Sequence, residues 1–321
     1  MRGPIRTALL PVLASSLFAC ESGPTTGPSP VAAASAPASA SAPWPKPPAY
    51  DLAADLELRT AFAATHGAQS LLTDDVFLVA SPDGDALPDD VKLVHDALAA
   101  LLNGRFTRAP SRALTVYLFD DDRSFDPMCK QRFGDTRCAS WLGLWIKETR
   151  EIFADQGPGK STLIHELTHP LLDADAEAVP GGRGAWRQPR WLREGVSSLF
   201  EAAVLKGTEI HGATNWRLGD LRRAQASAED RELVHLDALF RMPDDLFDDS
   251  RAHDHARSAY AASRFACQYL DEQGKLWPFY RAWSTHAADD ATGEKSFVET
   301  VGTTPKDADA AWQAWLGALH R

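Results

Sequence analysis

Cysteine is scarce in this chain, with four in 321 residues at positions 20, 129, 138 and 267. None of their spacings is that of a zinc finger. Basic residues are outnumbered, 33 Lys and Arg against 44 Asp and Glu, for a formal net charge of -11. That balance argues against a nucleic-acid partner and against a basic patch for a membrane surface. Long hydrophobic runs are missing too: the apolar stretch Thr7–Ala19 is too short to span a bilayer. Two ligand motifs are approached and not reached. Gly157-Pro158-Gly159-Lys160-Ser161-Thr162 ends like a phosphate-binding loop, but Ala154 stands where that loop needs its first glycine. Asp120-Asp121-Asp122 matches the spacing of no calcium loop and reads as a solvated loop. What remains, 44% hydrophobic and 24% charged, is ordinary for a globular protein.

Residues 1–19 carry the pattern of a signal peptide, a basic start (Arg2, Arg6) followed by a short apolar run. Leu17-Phe18-Ala19-Cys20 resembles a bacterial lipobox, which implies lipidation of Cys20. By the same resemblance, Glu21 is not the Asp linked to inner-membrane retention. The expected location is the bacterial cell envelope, anchored by lipid to the outer membrane in preference to the inner, or else secreted after cleavage near Ala19. From Ser22 to Pro48 nearly every residue is Ala, Pro, Ser, Gly or Thr. Such a segment has too little apolar surface to offset its ordering entropy and reads as a tether over 20–49. In an oxidising compartment Cys129 and Cys138, which flank a short polar loop, are expected to pair. Cys267, in an apolar stretch, is expected to be a buried free thiol.

The folded domain is expected over 50–321, as an α+β fold. A small mixed sheet lobe covers about 50–159, and a mainly helical lobe covers about 160–321. Strands are predicted at Val76–Ala80 and Ala113–Phe119, with a helix over Leu87–Asn103 between them, stopped by Gly104. Ser140–Ile146 and Glu151–Ala154 read as a hairpin. Helices are predicted over Arg190–Lys206, Arg217–Ala226, Ser250–Leu270, Lys275–Ser284 and Lys306–Leu319, with Val234–Phe240 a short apolar segment.

The stretch with the most chemistry is Ser161-Thr162-Leu163-Ile164-His165-Glu166-Leu167-Thr168-His169. Residues four apart on a helix share a face, so His165 and His169 can aim imidazole nitrogens at one point. Zinc requires such nitrogens at about 2.0–2.1 Å. Glu166, one step round the helix, can reach a water beside the metal and act as general base. Leu163, Ile164, Leu167, Leu171 and Leu172 make this helix largely buried, and a buried His-Glu-His set needs something to satisfy it. Ser161 or Thr162 is expected to cap the helix. Pro170 predicts a kink that would leave His169 at the helix end.

Downstream, Trp191-Leu192-Arg193-Glu194-Gly195 opens a second amphipathic helix. His-Glu-x-x-His followed by Trp-Leu-x-Glu-Gly resembles the gluzincin zinc metallopeptidases, in particular the peptidase-MA-like group. The resemblance covers roughly the second half of the chain. It implies a zincin-like architecture, one zinc per chain held by His165, His169 and Glu194, and Glu166 as base. Some gluzincins place an Asp four residues after the ligand Glu to orient a histidine. That position here is Ser198. Asp173, Asp175 and Glu201 are the candidates to replace it. The resemblance further implies a Tyr or His on a late helix that steadies the oxyanion. Tyr260 is the choice, with His253 and His255 as fallbacks. An edge strand that binds substrate backbone by strand addition is also implied, and Trp141–Ile146 is the candidate.

The expected function is hydrolysis of peptide bonds in a protein or peptide substrate. No Gly-x-Met-x-Asn exopeptidase run is present, which favours cleavage inside chains. Two alternatives stay open: a catalytically inactive zinc-binding surface lipoprotein acting as an interaction module, and a structural lipoprotein without metal. Nothing in the sequence speaks to oligomeric state.

Overall fold

The computed structural model describes residues 51–65, 70–73, 77–81, 87–119, 130, 142–155, 161–179, 181, 184–247 and 253–319. They belong to one compact unit, Ala49–Arg321. The expected signal peptide, the tether, Cys20, Trp141 and the Cys129–Cys138 pair lie outside the described residues. Among the described residues no helix is long and apolar enough to cross a membrane.

The fold is α+β. Helix α1 (Leu52–Thr65) precedes strands β1 (Ser70–Thr73) and β2 (Phe77–Ser81). Helix α2 (Leu87–Leu102) leads to β3 (Leu114–Phe119), and β4 (Gly143–Ile146) and β5 (Glu151–Asp155) follow. They form one five-stranded sheet in the order β1-β2-β3-β5-β4. β2, β3 and β5 run parallel, and β1 and β4 are antiparallel to their neighbours. β3 and β5 are buried along their whole length, as strands covered on both faces must be. Val116, Leu118, Ile152 and Ala154 join the main core.

Against that sheet lies α3 (Ser161–Glu177), buried from Thr162 to Asp173. The predicted kink is not observed to end the helix: α3 continues past Pro170 for two more turns. A mid-helix proline costs roughly 3 kcal/mol. Burial of Leu171 and Leu172 on its far side offsets that cost. Gln188 Nε2 also donates to the Leu172 carbonyl at 3.2 Å. Ser161 and Thr162 are the first residues of α3 rather than caps outside it.

Helix α4 is Arg190–Leu199, shorter than the predicted Arg190–Lys206. A 3-10 turn (Phe200–Ala202) ends it, and β6 (Ala203–Lys206) then pairs with β7 (Glu209–Gly212) as a hairpin. Helix α5 is Arg217–Ala226 and α6 is the short Leu236–Leu239. Then come α7 (His253–Glu272), α8 (Leu276–Thr285), α9 (Glu294–Val301) and α10 (Pro305–Ala318). α4 and α7 meet almost backbone to backbone, and Gly195 makes that possible. A Cβ there would stand 2.7 Å from the Ser263 carbonyl oxygen and 2.8 Å from Cys267 Sγ. Cys267 is a buried free thiol, as expected.

Candidate metal centre

Each side chain of the site is placed by a buried element. His165 and His169 stand one turn apart on α3, their ring centroids 5.1 Å apart. Glu194 comes from the first turns of α4, which packs across α3. Glu194 Oε2 lies 3.4 Å from His165 Nε2 and 3.9 Å from His169 Nε2. Metal bonds of about 2.0–2.1 Å in a tetrahedral site require ligand atoms about 3.4 Å apart. Glu194 Oε2 thus lies near zinc-ligand spacing from a nitrogen of each histidine. Glu166 also belongs to the cluster: ligand-type atoms of His165, Glu166 and His169 lie within 4.8 Å of one another. His165, Glu166, His169 and Glu194 are all less than a tenth exposed. A buried donor set of this kind can hold a cation, and the chemistry of the donors suits zinc.

The electrostatics are strongly perturbed. Burial pushes the Glu166 carboxyl up to about 8, and burial drives His169 down to about 3. Burial also acts to lower His165, but the nearby carboxylates of Glu194, Glu201 and Glu166 override it and carry His165 up to about 10. Burial raises Glu194, yet the neighbouring His169 and His165 hold it at about 2. Two histidines of one helix are therefore pulled in opposite directions.

The histidines have different outer partners. His169 Nδ1 lies 3.4 Å from Ser197 Oγ, one helical turn beyond Glu194 on α4. His165 Nδ1 lies 3.2 Å from Glu201 Oε1. That approach is outside hydrogen-bonding angles, and Nδ1 has no aligned partner among the described residues. Of the three carboxylates considered from sequence, Glu201 is the one beside a histidine. Asp173 instead accepts from Trp145 Nε1 and Arg193 Nη1, both at 2.9 Å, and pairs with Lys147 at 3.2 Å. Asp175 accepts from the Thr107 hydroxyl at 2.6 Å.

Strand β4 forms the wall beside Glu166. It is the last strand of the sheet order, and its Trp145 backbone lies close enough to Glu166 to act against the rise in its pKa. Gly143 lets the strand lie this close. A Cβ there would come within 2.5 Å of Thr162 Cγ2 and 2.8 Å of Glu166 Cγ and Oε1.

Tyr260 on α7 is near the cluster. Burial, and after it the Glu194 carboxylate, raise its hydroxyl well above the usual phenol range. It packs against the main core, with Phe247 edge-on at 5.1 Å and the Arg217 guanidinium 4.9 Å from its ring centroid. His255 is elsewhere, paired with Asp230. Its fellow fallback, His253, has a side chain outside the described residues. Sequence reading did not single out Ser197, Arg217 or Gly143. Ser197 shares a face with Glu194 at a three-residue spacing, which is a usable signal. Arg217 carries none.

No protein-family model matches the chain, and no curated protein matches it. The site therefore stands on its own geometry.

Proposed function

We propose that this chain is a zinc-dependent peptidase of zincin-like architecture. His165, His169 and Glu194 hold the metal and Glu166 is the general base. The observation that carries the reading is the approach of Glu194 Oε2 to both His165 Nε2 and His169 Nε2, beside a buried carboxylate that burial pushes up to about 8. A zinc ion, when bound, supplies a Lewis acid that polarises a carbonyl and lowers the pKa of a water beside it to around 7. A base is most useful when its pKa lies near the working pH, and burial has moved Glu166 in that direction. Glu166 accepts the proton of the attacking water and returns it to the departing amine. The position of β4 beside Glu166 supports extended binding of a peptide along that strand, with Gly143 and Trp145 nearest the base. Tyr260, close to Glu194, is the proposed oxyanion donor. The substrate is a protein or peptide, and attachment to the bacterial envelope through Cys20 is part of the same proposal.

The test is zinc content and casein hydrolysis for the full chain, Glu194→Ala and Glu166→Gln. About one zinc and chelator-sensitive hydrolysis are expected in the parent, little zinc in Glu194→Ala, and full zinc without hydrolysis in Glu166→Gln. Full zinc in Glu194→Ala would remove Glu194 as ligand. Zinc without hydrolysis in the parent, across several protein and peptide substrates, would favour a non-catalytic surface module.

A further inference from the structure

Glu201 is more heavily engaged than a carboxylate at the end of a helix needs to be. Its side chain is 8% exposed. Arg217 grips it with two bonds, Nε to Oε2 and Nη2 to Oε1, both 2.6 Å. Asn215 Nδ2 adds a third at 3.1 Å. Two aromatic rings also lie against the guanidinium. Its carbon lies 4.3 Å from the Trp216 ring centroid and 4.9 Å from that of Tyr260. A planar cation held at its edge by a carboxylate and packed against aromatic rings has little freedom to rotate. The segment that carries Asn215 is anchored as well. Fully buried Arg264 donates from Nη2 to the Ala213 carbonyl and from Nη1 to Gln268 Oε1 at 2.7 Å.

On its other side, Glu201 presents Oε1 to His165 Nδ1 at 3.2 Å. That nitrogen is buried and has no aligned bond among the described residues. Ser198, at the position where the resemblance leads one to look for a carboxylate, has a buried hydroxyl with no partner among the described residues. The carboxylate that stands beside His165 comes instead from three residues further on, in the 3-10 turn after α4.

We propose that Arg217 is a positioning residue for metal binding: it fixes Glu201 as the acceptor for His165 Nδ1–H, which aims Nε2 at the point shared with His169 and Glu194. The inference rests on the metal-site reading above. A histidine ligand whose other nitrogen lacks a fixed acceptor loses both tautomer and ring orientation, typically with a 10- to 100-fold loss of metal affinity. A structural staple between α4 and α5 would affect melting alone. The two roles therefore separate.

The experiment uses the full chain, with zinc affinity measured by competition against a chromophoric chelator. The absorption spectrum of the cobalt-loaded protein and thermal melts accompany it. Glu201→Gln and Arg217→Met are each expected to weaken zinc binding about 10- to 100-fold and to alter the cobalt spectrum. The double variant is expected to bind no more weakly than the poorer single, because the two residues act in one line. Arg217→Lys, which keeps the charge but not the fork, is expected to recover only part of the loss. Should Arg217→Met fail to fold, Glu201→Gln carries the test, since it keeps the shape of Glu201 but removes the charge and one of the two oxygens that Arg217 and His165 share. Parental zinc affinity and an unchanged cobalt spectrum in Glu201→Gln, whatever the melting point, would overturn the inference. A parent that takes up no zinc would sink the metal-site reading itself, whereas a zinc-binding parent indifferent to these substitutions would sink only this extension.

Discussion

Two buried carboxylates in this molecule are served in opposite ways. Asp290, just before α9, is 3% exposed. Its Oδ1 accepts from the Gly293 and Lys295 backbone N–H groups at 3.0 and 3.3 Å. Its Oδ2 accepts from the Ser296 N–H at 2.8 Å and the Ser296 hydroxyl at 2.7 Å. Every direction around that group is spoken for, and its work is to start a helix. Glu166 is 6% exposed, equally dry. Yet its neighbours are the Trp145 backbone and, 4.0 Å away, a histidine whose own pKa is driven down. Burial alone therefore marks nothing. A buried acid saturated with donors belongs to the architecture, and one left short of donors among converging nitrogens belongs to chemistry.

The largest expected effect that tests this contrast is on turnover. Glu166→Gln should lower kcat by about 100- to 10,000-fold with zinc content unchanged, read by hydrolysis of a labelled protein substrate. The reciprocal experiment is Asp290→Ala, which orphans four donors. It should cost about 2–3 kcal/mol in urea unfolding and leave zinc content alone. A loss of metal in that variant would blur the distinction. Gly143→Ala comes next. The new methyl group must displace Thr162 or Glu166, so stability should fall by about 1–2 kcal/mol, with a roughly tenfold drop in turnover and no loss of zinc. The smallest effect concerns an exposed acid–base pair, His235 with Asp309 at 2.8 Å. The bond from Asp309 raises the His235 pKa above its ordinary 6.5. Stability from this pair is therefore fully present below pH 6.5 and is lost as pH rises through the raised value. At such exposure it should amount to less than about 1 kcal/mol, measured as the difference in urea midpoint between the parent and His235→Gln across pH 5 to 9.

The parts of the fold that could be read beforehand are those whose signals are local. α5 falls on Arg217–Ala226 as predicted, and the burial of α3 follows its apolar run. Errors arose where distant contacts decide. Glu201-Ala202-Ala203-Val204-Leu205-Lys206 is a plausible helical continuation by propensity, yet the chain turns there and pairs back as β6 and β7. α9 went unread because its start depends on Asp290 reaching forward six residues to Ser296. Pro170 promised a break that packing overrides. At the site, the two histidines and Glu166 announce themselves by spacing on one helix. Glu201 could be named only as one of three candidates, because its approach to His165 depends on how α4 ends. Arg217 was invisible, since nothing in Trp216-Arg217-Leu218 records which carboxylate the guanidinium meets.

Gln188 lies between the two helices that build the centre. It donates to Leu172 on α3 and to the Tyr280 hydroxyl, and accepts from Arg193 on α4. The joint it closes is the one that a cation held by His165, His169 and Glu194 would bind a second time. Any ligand that prefers the native state adds stability in proportion to the logarithm of its concentration, about 4 kcal/mol at a thousandfold excess over its dissociation constant. The lifetime of such a protein is then set partly by the metal supply around it.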